Sequence, residues 1–559
     1  MLAFSLAVSL ALFAIAPVAP PVGTRILPDS GWRVVALDLD LDLRTREKSV
    51  QLSGRARVRF EGDSTSTLAF HLNGGPPLMR FESATASGVS AGFRDSLPAN
   101  PGAHVARFVF GRPVHGGDEV DVAFVASSRG RSFLFAIDST AAFFDRESGW
   151  YPALLKSGGA DRVDASTPAG TTTIRLPAGW RSLSNGVLRS RSTTSAGAVE
   201  RWETTRPAAR SVAAGPWDMQ VGRFGAHSFM MLRLRPLSPA KRKNMSAIAE
   251  RATLMLRALE HRLGAFPYEK YGVAEIPDGL ASWWGNALGD MWLARSEVFS
   301  LRDGGLGIFG HEAAHAWWGN AVVPEGPGGL LLSEGLAQFS QTLALASPHD
   351  SAFGRALEFP SEGGPPSHGA RGWFAVWRGG KDKPLSSLER GKQEDYDLSL
   401  TKGQWVLHML HERIGDSTMF AVLRQLIRQR SRTRTLTLAE TRETFLRAVP
   451  NDTGLATFFG QWLDRAGAPV LDYEVEDASD EKGLKTKLVI TQRQAGDPYE
   501  LDVPFRFDDA LGSQTKSVHV HARQTTVVLP VRARTGGVEL DPLRTLLLWR
   551  PEYGPAPTG

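Results

Sequence analysis

His311-Glu312-Ala313-Ala314-His315, with Glu334 nineteen residues further along in Leu331-Leu332-Ser333-Glu334-Gly335-Leu336-Ala337, decides how this chain is read. Histidines at i and i+4 lie one above the other on a single helical face. Their imidazoles can grip one metal ion together, which i,i+2 or i,i+5 spacing would prevent. Glu312 projects beside them, placed to act as a general base on water. The third ligand has to come from elsewhere, and Glu334 sits at the start of a predicted helix. Two histidines and one carboxylate leave a fourth zinc position open, as catalysis requires.

With 13 histidines in 559 residues, the pentad arises by accident in about one or two of a hundred such chains, and a correctly spaced glutamate lowers that by roughly another tenfold. The surrounding Leu306, Ile308, Phe309, Ala313, Ala314, Ala316, Trp317 and Trp318 predict an apolar helix. Two histidines and a glutamate on such a helix need something to satisfy them, and a metal does so.

The length suggests three or four domains, because a single core stops growing well below it. Hydrophobic content of 42% with 22% charged residues is ordinary globular composition. The net charge of +5 is small for this size. The densest basic run, Arg424, Arg428, Arg430, Arg432 and Arg434, reads as a solvated helix end rather than a nucleic-acid surface. With no cysteine there is no disulfide and no thiolate zinc site. Leu2 to Ile15 is apolar apart from serines, Ala14-Ile15-Ala16 looks like a cleavage site, and Pro17, Pro20 and Pro21 follow. That pattern predicts a signal peptide over residues 1–22 and an extracytoplasmic protein, periplasmic or secreted; a retained amino-terminal membrane anchor is the alternative.

Residues from about 31 to 225 read as strands. Val34 to Leu43 alternates apolar and polar side chains over most of its length, and Ala56 to Phe60, Val120 to Phe124 and Thr172 to Leu176 do the same. Gly, Pro, Ser and Asp punctuation between them predicts a β-sandwich-like domain. The period then changes. Ser238-Pro239 opens a helix through Leu263, with cap and first-turn proline in their preferred places. Further helices are expected near 401–428, 437–448 and 452–465. Residues 360–390, rich in Gly, Pro and Ser, are expected to form a long loop near the site. Strands return after Val470, at Lys487 to Ile490, Ser517 to Val520 and Thr526 to Leu529.

With these residues in view the chain resembles the gluzincin aminopeptidase family that includes aminopeptidase N. His311 to Asn320, ending Trp317-Trp318-Gly319-Asn320, is similar to that family's zinc helix, and Leu332 to Ala337 to its third-ligand segment. Lys402-Gly403 with Val406 to Leu410 is similar to the helix lining the site. Phe458 to Leu463 with Gly467-Ala468-Pro469 resembles the end of the catalytic domain, and Trp150-Tyr151-Pro152 a motif of the amino-terminal domain. The resemblance implies an α+β multidomain fold: an N-terminal β-sandwich-like domain (23–225), a thermolysin-like catalytic domain (226–468) and a C-terminal β-sandwich domain (469–559). It implies that His311, His315 and Glu334 bind Zn2+, that Glu312 activates water, and that the partner is a peptide or protein substrate.

Two departures bear on specificity. The family's Gly-Ala-Met-Glu-Asn, whose glutamate holds a substrate's free amino terminus, corresponds to Gly285-Asn286-Ala287-Leu288-Gly289-Asp290, which has no glutamate. Asp290 either substitutes for it or is a turn residue. The family's Tyr-x-Lys-Gly, whose phenol stabilises the oxyanion, corresponds to Leu400-Thr401-Lys402-Gly403. Tyr396, about one helical turn earlier, either reaches inward as the second catalytic residue or is a surface tyrosine in Glu394 to Asp397. The short stretch after Gly467 also predicts an open cleft. The leading expectation is therefore an exported metallopeptidase with altered amino-terminal recognition. The alternative is a zinc-bearing peptide-binding protein with weak or no catalysis.

Overall fold

The computed structural model describes residues 31–556 apart from 74–77, 98–99, 129–130, 155–167, 207, 302–303, 346–369 and 434. The expected signal peptide lies outside the described residues. No described helix is long and apolar enough to cross a membrane.

The chain is a multidomain α+β protein. Its first unit is an eight-stranded sheet sharing one core with two four-stranded sheets. The strand Trp32–Arg44 pairs antiparallel with Ser49–Phe60 and parallel with Gly170–Pro177. Leu37, Leu39, Leu41 and Leu43 all turn into the core, while Val34 and Trp32 hold the opposite parity and are buried as well. A register shift between Val34 and Ala36 makes this possible, because one extra residue flips the side-chain phase.

A five-stranded sheet follows, in the order Trp217–Phe224, His227–Leu234, Lys270–Ile276, Met291–Arg295, Gly285–Ala287. The expected boundary at 225 therefore falls inside a hairpin: Trp217–Phe224 pairs with His227–Leu234, so this sheet begins at Trp217. Every residue of Lys270–Ile276 is buried. Tyr271 and Val273 join the helical core, whereas Ala274 and Ile276 join the core of the first unit. A strand covered on both faces loses the alternating pattern.

The helices are α1 (Pro239–Leu263), α2 (Leu306–Ala314), α3 (Leu336–Leu345), α4 (Ala370–Arg378), α5 (Gln393–Leu398), α6 (Gln404–Thr433), α7 (Leu438–Ala448) and α8 (Leu455–Leu463). Ser238 caps α1, its hydroxyl accepting from the Lys241 N–H at 3.3 Å, with Pro239 in the first turn. Arg424, the first of the basic run, donates to the Arg262 carbonyl at 3.1 Å, at the end of α1. α6 is broken at Gly415, whose φ of +76° suits glycine. The loop expected over 360–390 is not continuous, since α4 occupies its middle. Trp373 and Phe374 are fully buried and stack with Trp377. Aromatic burial outweighs the Gly- and Pro-rich flanks. Two three-stranded sheets complete the chain, and their inward Leu488, Ile490, Val503, Phe505 and Phe507 continue the helical core.

Asp290 joins the first unit to the five-stranded sheet. One oxygen accepts from Asn185 Nδ2 at 2.6 Å, the other from the Gly186 N–H at 2.8 Å, and Lys270 Nζ lies 2.9 Å away. The Lys270–Asp290 pair is buried. Burial pushes the Lys270 ammonium down, against the pull of Asp290. Breaking such a pair leaves an uncompensated charge, so Asp290→Ala is expected to cost about 3–5 kcal/mol. Urea denaturation of the two proteins measures it, with a change below about 1 kcal/mol contradicting the assignment.

Candidate metal centre

α2 starts at Gly305, in the left-handed region at φ +82°, and buries Leu306, Phe309, Ala313 and Ala314. The apolar side fixes the helix rotation, and that rotation sends His311 and His315 to one side. Their Nε2 atoms lie 3.1 Å apart. The third vertex is Glu334 Oε2, 3.3 Å from His311 Nε2 and 3.4 Å from His315 Nε2. Among the described residues this is the one His/Cys/Asp/Glu group suited to a metal. Tetrahedral zinc with bonds of about 2.0–2.1 Å separates its ligand atoms by roughly 3.3–3.4 Å, so the triangle fits the ion.

The tautomer of His315 is set from behind. Its Nδ1 lies 2.9 Å from the Trp318 carbonyl oxygen, which accepts a hydrogen bond from Nδ1–H and leaves the Nε2 lone pair for a metal. Asn320 Nδ2 donates to the His315 carbonyl at 2.8 Å, and Asn320 Oδ1 accepts from Arg146 Nη1 at 2.8 Å. The first unit thus touches the end of the metal helix directly.

Glu334 rides on a turn of π-helix, Leu331–Gly335, and a second such turn, Ser399–Gly403, packs against it. Wide turns of this kind re-aim a side chain within an otherwise regular helix. The two turns touch through glycines: a Cβ on Gly403 would come within 2.8 Å of Leu331 Cδ1, and one on Gly335 within 3.3 Å of the Ser399 carbonyl oxygen. Ser399 Oγ donates to the Leu330 carbonyl at 3.0 Å. Behind the second turn, Lys402 is wholly buried, 3.2 Å from Asp382 and 3.2 Å from the Arg465 carbonyl oxygen. Asp382 also accepts from Trp373 Nε1 and the Gly467 N–H. Lys402 therefore braces the site and does not enter it.

Burial raises the Glu312 carboxyl above its ordinary range, while His311, His315 and a hydrogen bond from the Ala287 N–H oppose the rise. Burial alone would lower the His315 imidazole, but the charge and hydrogen bond of Glu334 outweigh it and lift it to about 9. A group that attracts a proton so strongly attracts a cation for the same reason.

Tyr396 lies on α5 and is half-buried against the core. Its phenol is raised by burial first and by the charge of Glu334 next, while a hydrogen bond and the charge of Arg390 oppose this. Tyr396 thus feels the charge of Glu334, while Asp290 is committed elsewhere. Two residues near the site escaped the sequence reading. Arg390 Nη2 donates to Ser333 Oγ at 3.1 Å, and Ser333 Oγ lies 3.2 Å from Glu334 Oε1. Glu147, exposed on the short turn Arg146–Ser148, also acts on the Tyr396 phenol. It sits three residues before Trp150-Tyr151-Pro152, and that proximity was the available signal. Next to it Asp145 is buried, accepts from the Glu147 N–H at 2.8 Å and from Asn286 Nδ2, and is pushed up to about 7 by burial and by Glu147.

No protein-family model and no curated protein sequence matches the chain. Solved structures do. The M1 zinc metallopeptidase from Deinococcus radiodurans is 16% identical, with 78% of this chain and 95% of that one covered at a TM-score of 0.57. A mutant from the same organism bound to a Tyr-Ser-Ala substrate is 16% identical over 78% and 94%, at 0.56. A two-domain M1 zinc metallopeptidase mutant bound to L-arginine is 15% identical over 80% and 97%, at 0.58. At such identity the likeness is one of fold, and at that level the resemblance to aminopeptidase-N-like gluzincins holds.

Two predictions follow from this geometry. Asn320→Ala, which frees the His315 carbonyl and Arg146, is expected to weaken zinc binding about 10–100-fold in a chelator competition. The folded pKa of Asp145, about 7 against an ordinary 3.8, means the folded state holds a proton that the unfolded state releases. Stability from this group is therefore full below about pH 4 and lost as pH rises through about 7. Melting temperature should fall from pH 5 to pH 8 more steeply in the parent than in Asp145→Asn.

Proposed function

We infer that this chain is a zinc-dependent metallopeptidase of aminopeptidase type, its helical unit thermolysin-like, acting on peptides outside the cytoplasm. The carrying observation is the triangle of His311 Nε2, His315 Nε2 and Glu334 Oε2, with the carboxylate of Glu312 beside it. A zinc ion held there supplies Lewis acidity to a scissile carbonyl and makes water easier to deprotonate. Glu312 does the proton work: its carboxylate accepts the proton of the attacking water and hands it to the departing amine. The Ala287 N–H steadies that carboxylate from the edge strand Gly285–Ala287.

Tyr396 supplies the phenol that Leu400 cannot. Its hydroxyl, kept protonated by burial and by the charge of Glu334, is suited to donate to the oxygen that gains charge in the transition state. Glu147 supplies the free carboxylate that Gly285 to Asp290 lacks, Asp290 being engaged by Asn185, Gly186 and Lys270. Among the described residues no cation pairs with it, and the Arg146–Asn320–His315 contacts bring its turn up to the metal helix. A free substrate ammonium is its natural partner, which favours an aminopeptidase over an endopeptidase. The binding-protein alternative drew on the missing tyrosine and glutamate, and these two residues answer both.

Glu312→Gln is expected to keep zinc and lose at least about a thousandfold in kcat; unchanged hydrolysis would overturn the mechanism. Tyr396→Phe should lower kcat about 10²–10³-fold with little change in KM, as loss of one oxyanion donor does. Glu147→Gln should erase the preference for free over N-acetylated peptides, read by mass spectrometry of matched libraries. Internal cuts in both libraries by the parent would make the enzyme an endopeptidase.

A further inference from the structure

We propose that Arg390 forms a carboxylate-binding subsite, and that it takes the free carboxyl terminus of a di- or tripeptide whose scissile carbonyl lies at His311, His315 and Glu334. This rests on the peptidase reading and adds the substrate class. Arg390 is exposed and, among the described residues, has no carboxylate within salt-bridge distance. It is nonetheless held in place by Ser333 Oγ at 3.1 Å. A guanidinium carries five N–H donors in a fixed fork, so that bond leaves most of its capacity for a planar bidentate anion.

Position selects which anion. One serine hydroxyl links Nη2 to the carboxylate of Glu334, since Ser333 Oγ is 3.2 Å from Glu334 Oε1 and 3.1 Å from Nη2. The guanidinium therefore lies no more than about two extended residues from that carboxylate, since an extended chain advances roughly 3.3–3.6 Å per residue. A carboxylate one or two residues beyond the scissile bond falls within its reach, whereas that of a long peptide has passed beyond it. Glu334 does not compete, because its charge is spent on the two histidines and the metal they share. The cleft then offers an unpaired carboxylate, Glu147, and a cation without a carboxylate, Arg390, both acting on the same phenol. A short zwitterionic peptide complements both.

Calorimetric binding to zinc-loaded Glu312→Gln protein tests this without turnover, with trialanine, trialanine amide and the hexa-alanine pair as probes. The free acid of trialanine is expected to bind about tenfold or more tighter than its amide, in line with a charge-assisted bidentate contact. The hexa-alanine pair should show no such difference. Adding Arg390→Gln should bring the trialanine ratio close to one, and Arg390→Lys should keep part of it, with thermal melts reporting that each variant folds. Equal affinities of trialanine acid and amide in the parent would overturn the proposal. So would a ratio that survives Arg390→Gln, including the case where kcat alone falls, which would assign Arg390 to the oxyanion. A wild-type protein that hydrolyses nothing while the acid-to-amide ratio holds would sink the peptidase reading and leave the subsite standing.

Discussion

Two imidazole nitrogens and a carboxylate oxygen held 3.1–3.4 Å apart on a buried helix draw in positive charge, either a metal ion shared by all three or a proton on His315. Much of the helical unit can be read as the means of holding them there. The buried side of α2 fixes the rotation that places both histidines. The Trp318 carbonyl fixes the tautomer of one of them. Glu334 arrives on a π-turn kept in place by glycine contacts and by the Lys402–Asp382 pair behind it. Each element contributes modestly alone; together they pre-arrange ligands that would otherwise repel or scatter.

The first unit is tied to the candidate metal centre, because contacts pass from it to the five-stranded sheet and to the residues after α2. Arg146 reaches Asn320 and through it His315. Asp145 holds Asn286 on the edge strand whose next residue supports Glu312. Asn185 and Gly186 grip Asp290 beside Lys270. The same unit carries Glu147, so in the proposed reading recognition and chemistry come from different units.

The candidate metal group was legible because its residues sit within one helix and one neighbouring turn, where spacing alone fixes geometry. The alternation at Trp32–Arg44 was legible for the same local reason, as was the cap at Ser238-Pro239. The hairpin across 225 was not, because pairing of Trp217–Phe224 is a tertiary choice with no mark in its composition. α4 was hidden by its Gly- and Pro-rich flanks, although Trp373, Phe374 and Trp377 carried the burial that forms it. Asp290 looked like a turn residue or an amine anchor until Asn185, over a hundred positions earlier, was seen to hold it. Glu147 and Arg390 come to act on Tyr396 only after folding, and no short-range pattern announces that.

The central claim is that one zinc ion at His311, His315 and Glu334 drives hydrolysis. It is tested most directly by stripping the protein of metal and titrating zinc back while following cleavage of an unblocked tripeptide. The account predicts no activity in the stripped protein, a linear rise, and a plateau at about one zinc per chain. Activity that persists without metal, or that is still absent once zinc is bound at one equivalent, would contradict it.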